Sequence, residues 1–472
     1  MAPGETTRAD GLFSGPRRPP TTVGFVGSLD EIFKAYDIRG TVPDQIDTEA
    51  ARAIGAAFAR FAGAPRVLVA RDMRESGEAL SGAFSEGVTG TGADVVDLGM
   101  ASTDLVYFAA GHLGSPAAMF TASHNPAQYN GIKLCLDGAR PVGQDTGLAE
   151  IKAMAETGVG ARASTTGTVS ALDLLDEYAR HVRGFVDTSI LRPLRVVADT
   201  ANGMGGLVVP RVFEGLPFEM EVLFAELDGS FPNHPADPIQ PENLKDLQAR
   251  VLETEADIGL AFDGDADRVF LVDETSASLS GSTTTALVAK AILATNPGAT
   301  VIYNLICSKA VPEVVLESGG VPLRSRVGHS FIKATMAETG AVFGGEHSGH
   351  YYFRDNYRAD SGLIAALIVL EQLSLAHEPL SALRRPLERY ADSGEINVEV
   401  SDPPAMLDRV AAAYPQADHD RTDGLTVDLG DWWFNLRASN TEPVLRINVE
   451  APDEAACKDR TTEIVDLVGQ GA

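Results

Sequence analysis

Asp47-Thr-Glu-Ala-Ala-Arg-Ala-Ile-Gly-Ala-Ala-Phe-Ala-Arg-Phe61, followed three residues later by Pro65-Arg-Val-Leu-Val-Ala70, sets the architecture. Ile54, Ala57, Phe58 and Phe61 recur at helical spacing, which predicts a helix with one apolar face. The short apolar run after Pro65 predicts a strand. The alternation continues outward: helix over 78–89, strand over 95–98, helix over 103–111, strand over 118–120. Helices alternating with short apolar strands predict mostly parallel sheets covered by helices, an α/β fold.

A second block has an amphipathic stretch over 172–186, a strand over 194–198, a Gly-rich turn at 202–206 and a strand over 258–262. The third has helices over 283–293, 311–317, 331–338 and 362–373, with strands over 301–303, 321–324 and 341–343. Past Pro386 the texture changes. Alternating runs over 395–400, 425–428, 432–437 and 445–449 surround two helical stretches, which predicts a smaller α+β domain. The boundaries drawn this way are a flexible tail over 1–23, α/β domains over 24–170, 171–277 and 278–389, and an α+β domain over 390–472. The three α/β blocks are similar enough in size to be divergent copies of one unit.

Length and charge agree with this division. At 472 residues the chain has room for about two to four domains. Its net charge of −28 repels phosphate backbones and anionic headgroups, so nucleic acid and membrane surfaces are poor partners. Cys135, Cys307 and Cys457 lie far apart without CxxC spacing, which encodes neither a disulfide framework nor a zinc site and fits a reducing cytoplasm. No apolar run approaches the roughly 18 residues of a spanning helix.

Four segments carry chemistry. In Ala261-Phe-Asp-Gly-Asp-Ala-Asp-Arg268, three carboxylates, Asp263, Asp265 and Asp267, sit between two apolar strands. That is a hard, oxygen-only cation site suited to Mg²⁺, although Asp clusters also cap turns. An EF-hand is set aside because Arg268 stands where that loop needs glycine. In Thr121-Ala-Ser-His-Asn-Pro126, Ser123 follows a strand in a tight polar loop, placed as an exposed nucleophile. His124 and Lys133 offer a proton acceptor and a positive charge; turn chemistry is the bland alternative.

Gly344-Gly-Glu-His-Ser-Gly-His350 places Glu346, Ser348 and His350 at alternate positions, so an extended segment presents them on one polar face to a hydroxylated ligand. His347 reads as a structural histidine or as one behind the contact surface. Arg437-Ala-Ser-Asn-Thr-Glu-Pro443 offers Arg437, Ser439, Asn440 and Thr441 as a phosphate clamp. Tyr36, Arg39, Lys309, Arg326 and His329 are single candidates. Walker A, Rossmann and G-x-S-x-G motifs are absent, so nucleotide use and an α/β-hydrolase have no support.

In this order, TASHNP, DGDADR, GEHSGH and RASNTEP resemble the α-D-phosphohexomutase family, specifically its bacterial phosphomannomutase/phosphoglucomutase members, over residues 34–443. The resemblance implies three related α/β domains and a smaller C-terminal domain around a central cleft. It implies an isomerase that interconverts hexose 6-phosphate and hexose 1-phosphate, with mannose and glucose as sugars, through a phosphoserine enzyme and a hexose 1,6-bisphosphate. Ser123 is then the phosphorylated residue and, with Asp263, Asp265 and Asp267, a Mg²⁺ ligand. His124, Lys133 and Arg268 assist transfer. Tyr36, Arg39, Lys309, His329, Glu346, Ser348, His350, Arg437, Ser439, Asn440 and Thr441 contact substrate. Ala266 stands where relatives commonly have glycine, and Ala127-Gln128 follows SHNP where many have Pro-Glu; neither change removes a reacting group. A phosphoglucosamine mutase and a metal-dependent sugar phosphatase are the competing readings.

Overall fold

The computed structural model describes residues 29–160, 163–438 and 444–469. The opening helix is Thr48–Ala62: Asp47 accepts from Ala50 N at its start, Gly63 closes it at φ 60°, and Ile54, Ala57 and Phe58 are buried. The following strand is Arg66–Arg71.

Three sheets share one wiring. In the first, Asp94–Met100, Arg66–Arg71 and Ala117–Phe120 run parallel and Tyr129–Leu136 returns antiparallel. The second repeats this with Glu219–Leu223, Arg195–Asp199, Ile258–Phe262 and returning Val269–Asp273. Val321–Ser325, Thr300–Asn304, Phe343–Gly345 and returning Tyr351–Phe353 form the third. Each first strand is followed by a helix, Gly77–Gly90, Gly205–Phe213 or Ala310–Glu317, and each second strand by Thr103–His112, Lys245–Thr254 or His329–Thr339. The three blocks are therefore copies of one topology.

The sheets are mixed rather than mostly parallel, and loop length explains why. The returning strands follow loops of eight, six and five residues, too short for the crossover of a dozen or more that a parallel strand requires. Those three loops are the Ser123, Asp263 and Glu346 segments, so each copy carries its chemistry at the same hairpin. The first sheet also gains an edge strand, Ile38–Thr41, and at its other edge Val169–Ala171 pairs with Asp94–Met100.

The fourth sheet is antiparallel, with Val444–Ala451 between Ala391–Asp392 and Trp433–Ala438, and with helices Pro403–Ala413 and Glu454–Gly469. It has a separate core around Leu425, Phe434, Leu436 and Ile447. The three α/β units instead share one apolar core running from Leu68 through Val208 to Leu370. Helix Gly362–Ala376 lies inside that core, buried on nearly every face. Among the described residues no single helix is long and apolar enough to cross a membrane.

Candidate active site

The hairpin loops converge on a cavity of about 830 Å³ walled by residues from all four units, among them Tyr36, Arg39, Ser123, His124, Lys133, Asp267, Arg268, His329, Ser348, His350 and Arg437. Ser123 sits at its floor with a left-handed backbone, φ 49°. Its Oγ donates to Asp263 Oδ2 at 2.8 Å and lies 3.2 Å from His124 Nδ1. Arg268 Nη2 reaches Ser123 Oγ at 3.4 Å, His124 Nδ1 at 2.6 Å and Asp263 Oδ2 at 2.8 Å. A guanidinium has no acceptor, so His124 Nδ1 is the lone-pair nitrogen. Burial, with Arg268 and Arg39 beside it, holds His124 well below its ordinary pKa, so the ring is neutral at neutral pH.

The Asp triplet is buried, with ligand oxygens all within 4.8 Å of one another. Lys133, which lies on the returning strand rather than in the loop, contacts Asp265 Oδ2 at 2.7 Å and Asp267 Oδ2 at 2.8 Å. Burial pushes the Asp263 carboxyl up against the opposing pull of Arg268. Burial also works against ionised Asp265, but Lys133 outweighs it and holds that carboxyl low. Two outer oxygens, Asp265 Oδ1 and Asp267 Oδ1, are buried without a hydrogen-bond partner. Three carboxylates against Lys133 and Arg268 also leave an uncompensated negative charge. Orphaned hard oxygens and surplus negative charge suit a divalent cation such as Mg²⁺.

Beside the triplet, His350 Nδ1 lies 3.9 Å from Asp267 Oδ1 and 2.9 Å from Asp360 Oδ2, whose other oxygen pairs at 2.9 Å with buried Lys333. Burial lowers the His350 pKa, but Asp267 and Asp360 overcome it and the net shift is upward. His329 is driven down to about 3, by burial first and by Lys333 next, so it is neutral. Tyr36 donates to Val327 O at 3.2 Å and stacks edge-on against His329, joining the first and third units. Arg39 holds Asn125 Oδ1 at 2.6 Å and Asp37 at 2.5 Å. Arg437 is loosely paired, 3.5 Å from Glu395 and 3.9 Å from Asp423.

Two expected contacts lie elsewhere. Segment 346–350 is a turn rather than extended, so Ser348 and His350 face the cavity while Glu346 lies beneath it. Its carboxylate is occupied by Gly328 N at 3.1 Å, Asn304 Nδ2 at 3.2 Å and Tyr352 OH at 2.7 Å. Lys309 is outside the cavity wall, bound to Asp428 at 2.7 Å and Gly430 O at 2.8 Å. Ser439, Asn440 and Thr441 fall outside the described residues. His347 is structural, its Nδ1 2.9 Å from Ser282 Oγ.

Family models described as phosphoglucomutase/phosphomannomutase match in chain order: alpha/beta/alpha domain I over 30–159, domain II over 176–277, domain III over 280–390 and the C-terminal domain over 395–467. The chain belongs to the phosphoglucomutase/phosphomannomutase family. It is therefore an enzyme of an isomerase family. A Xanthomonas campestris protein named phosphohexose mutases is 41% identical, over 92% of this chain and 98% of its own. A Salmonella typhimurium phosphomannomutase is 39% identical, over 93% of this chain and 99% of its own. The crystal structure of a Burkholderia thailandensis phosphoglucomutase/phosphomannomutase family protein superimposes with a TM-score of 0.87 at 35% identity, covering 94% of this chain and 99% of that one.

Beyond the motif residues, this family member builds its site on side chains that sequence reasoning missed. Arg74, fully buried beside Asp72, donates to four carbonyls of the serine loop: Ser123 at 2.9 Å, Asn125 at 2.7 Å, Pro126 at 2.8 Å and Tyr129 at 2.9 Å. Thr103 holds Asp265 twice, from Oγ1 at 2.6 Å and from its backbone N at 3.0 Å. The adjacent Asp104 is buried where the three α/β units meet and accepts from Ser102, Tyr178 and Ser361.

Proposed function

We propose that this protein interconverts hexose 6-phosphate and hexose 1-phosphate, acting on mannose and glucose phosphates, through a Ser123-phosphorylated enzyme and a hexose 1,6-bisphosphate intermediate. The observation that carries the reading is Ser123 Oγ, 2.8 Å from Asp263 and within reach of Arg268 and His124, at the floor of a cleft walled by four units. The names of the full-length relatives support the sugar class. The sequence boundaries at 23, 170, 277 and 389 are proposed as the limits of those units.

In the forward half-reaction the Ser123 Oγ–P bond breaks as a sugar hydroxyl oxygen bonds to phosphorus. The hydroxyl proton leaves to a neutral acceptor, for which His124 Nδ1 is the assigned group once Arg268 Nη2 turns from it to the serine oxygen, which becomes an anion. The bisphosphate then turns over, and the reverse step returns the phosphoryl from the opposite end to Ser123. Arg437, with only loose acid partners, is assigned to the phosphate that is not transferring. Tyr36, Arg39, His329, Ser348 and His350 are assigned to positioning the sugar and its phosphate. Asp263, Asp265 and Asp267 would hold Mg²⁺, which would supply positive charge to offset that of the transferring phosphoryl group. A cleft that closes around the intermediate would keep water from the phosphoserine. Three free, buried cysteines accord with a cytoplasmic setting.

The test is purified protein with Mg²⁺, a trace of hexose 1,6-bisphosphate, and mannose 1-phosphate, glucose 1-phosphate or glucosamine 1-phosphate in parallel. Interconversion of the first two is expected, abolished in Ser123→Ala. Steady phosphate release with no interconversion would make it a phosphatase, and turnover of glucosamine phosphate alone would reassign the sugar.

A further inference from the structure

Residues 224–240 form neither helix nor strand, yet they are fixed firmly against the metal loop. Phe224 and Phe231 have left-handed backbones, φ 53° and 52°. That conformation costs a non-glycine residue about 1–2 kcal/mol and persists where the surroundings enforce it.

Three contacts do so. His234 presents both ring nitrogens to acceptors: Nε2 lies 3.0 Å from Asp199 Oδ2 and Nδ1 lies 2.9 Å from Pro235 O. Asp199 is itself buried at the end of strand Arg195–Asp199. The Phe231 ring lies 5.2 Å from the guanidinium carbon of Arg74, which grips the serine loop from the other side. Asn243 Nδ2 donates to Asp237 O at 2.8 Å.

The segment thereby delivers Asp237 to Arg268, with Oδ1 3.9 Å from Nη1. That carboxylate oxygen is buried and has no hydrogen-bond partner. Arg268 uses Nε and Nη2 on Asp263, His124 and Ser123, which leaves Nη1 facing Asp237. A planar fork anchored along one edge can still swing in its plane, and an acid on the opposite edge limits that swing.

We propose that Asp237 is a positioning residue that holds Arg268 at the reacting serine oxygen, and that the His234–Asp199 pair keeps Asp237 in place. The inference rests on the reading that Arg268 acts at Ser123. Asp237 makes no hydrogen bond to Ser123 and is not in the cavity wall, so its effect passes through the guanidinium.

The experiment measures single-turnover phosphoryl transfer from ³²P-labelled phosphoenzyme to hexose phosphate by rapid quench. Asp237→Asn keeps the side-chain shape and removes the charge. It is expected to slow transfer by about 10- to 100-fold, with hexose phosphate KM and melting temperature little changed. His234→Ala is expected to slow transfer similarly, and His234→Gln, which retains an N–H for Asp199, to lose less. The double variant His234→Ala/Asp237→Asn should be no slower than Asp237→Asn alone, because both act through one contact. Asp237→Asn transferring within about threefold of wild type, or losses that multiply in the double variant, would overturn the inference. Arg268→Ala is the separating control. Transfer at wild-type speed in Arg268→Ala would instead refute the role given to Arg268. Should His234→Ala not fold, Asp237→Asn and Arg268→Ala still decide the question.

Discussion

Replacing Gly264 with alanine adds one methyl group where the metal loop meets the serine loop. Its Cβ would lie 2.4 Å from Ser123 O. The loop has no room to retreat, because on its far side Gly203 is packed so closely that a Cβ there would meet Gly264 O at 2.6 Å. Ordinary carbon–oxygen contact begins near 3.4 Å, so the two loops must part by about 1.0 Å. The Asp263 Oδ2–Ser123 Oγ contact, now 2.8 Å, would then open to about 3.8 Å and cease to be a hydrogen bond. Overpacking of this kind costs about 1–3 kcal/mol of stability. A displacement of about 1 Å at reacting groups costs on the order of 100-fold in rate, or about 2.7 kcal/mol of barrier. Ser348, His350 and Arg437 stand on other loops, so KM should move little while kcat falls. Paired measurements of kcat and KM, with urea unfolding of the same protein, separate the two effects. A Gly264→Ala enzyme with kcat within about threefold of wild type would show that the loops slide freely, and that the 2.8 Å contact is not what aligns Ser123.

Ala266 has φ 60° and is buried, so Ala266→Gly relieves about 1–2 kcal/mol of left-handed strain while losing about 0.8 kcal/mol of methyl burial and about 0.5–1 kcal/mol of backbone entropy. The net change in denaturant-derived stability should stay within about 1 kcal/mol, and a loss above about 2 kcal/mol would refute this balance. Arg74→Lys keeps a charge beside Asp72 but cannot span four carbonyls, and losing two of those bonds costs about 3–6 kcal/mol. Faster amide exchange confined to residues 121–129 should accompany that loss, and unchanged protection there would contradict it. His234 has its pKa moved upward: burial opposes the shift, but Asp199, Pro235 O and the more distant Asp246 overcome it. Its contribution to stability is therefore complete below the unfolded histidine pKa of about 6.5 and lost as pH rises through the higher folded value. The melting-temperature gap between wild type and His234→Gln should narrow from pH 6 toward pH 9, and a constant gap would remove the charge from the argument.

The copies of the α/β unit were legible because each spends a helix and a strand on one amphipathic and one apolar run, and those periods survive divergence. Of the returning strands only Val269–Asp273 was read, from the apolar run after Arg268. Tyr129–Leu136 includes Asn130, Gly131 and Lys133, polar positions that read as loop, because its alternate face lines a cleft. The motif loops drew attention to Ser123, the Asp triplet and Arg268 because those groups cluster in sequence, and the structure brings them together. Arg74 did not stand out, since a lone arginine after a strand normally ends in solvent, and its burial depends on carbonyls some fifty residues away. One signal was available: Asp72 and Arg74 follow the carboxyl end of a parallel strand, beside the strand that leads to Ser123. Glu346 shows the reverse case: alternate spacing shares a face only when the segment is extended, and Gly349 at φ 85° turns this one, which leaves Glu346 beneath the cavity.

The pairing distances also bear on how a chain of net charge −28 would take the dianionic sugar phosphates proposed as its substrates. Where the chemistry is assigned, the cations are held tightly by acids, Lys133 at 2.7 and 2.8 Å and Arg268 at 2.8 Å. These pairs are nearly dry, so their charges are spent internally and a phosphate gains little from them unless a second positive charge satisfies the carboxylates. At Arg437 the acids stand 3.5 and 3.9 Å away, and among the described cavity-lining residues Lys34 and Arg326 have no acid partner. Those three cations can accept a phosphate without breaking a strong pair. On the proposed function the cleft is thus divided into a part where anion binding is nearly free and a part where it would call for a divalent cation, and the proposed bisphosphate would meet one of each in either orientation.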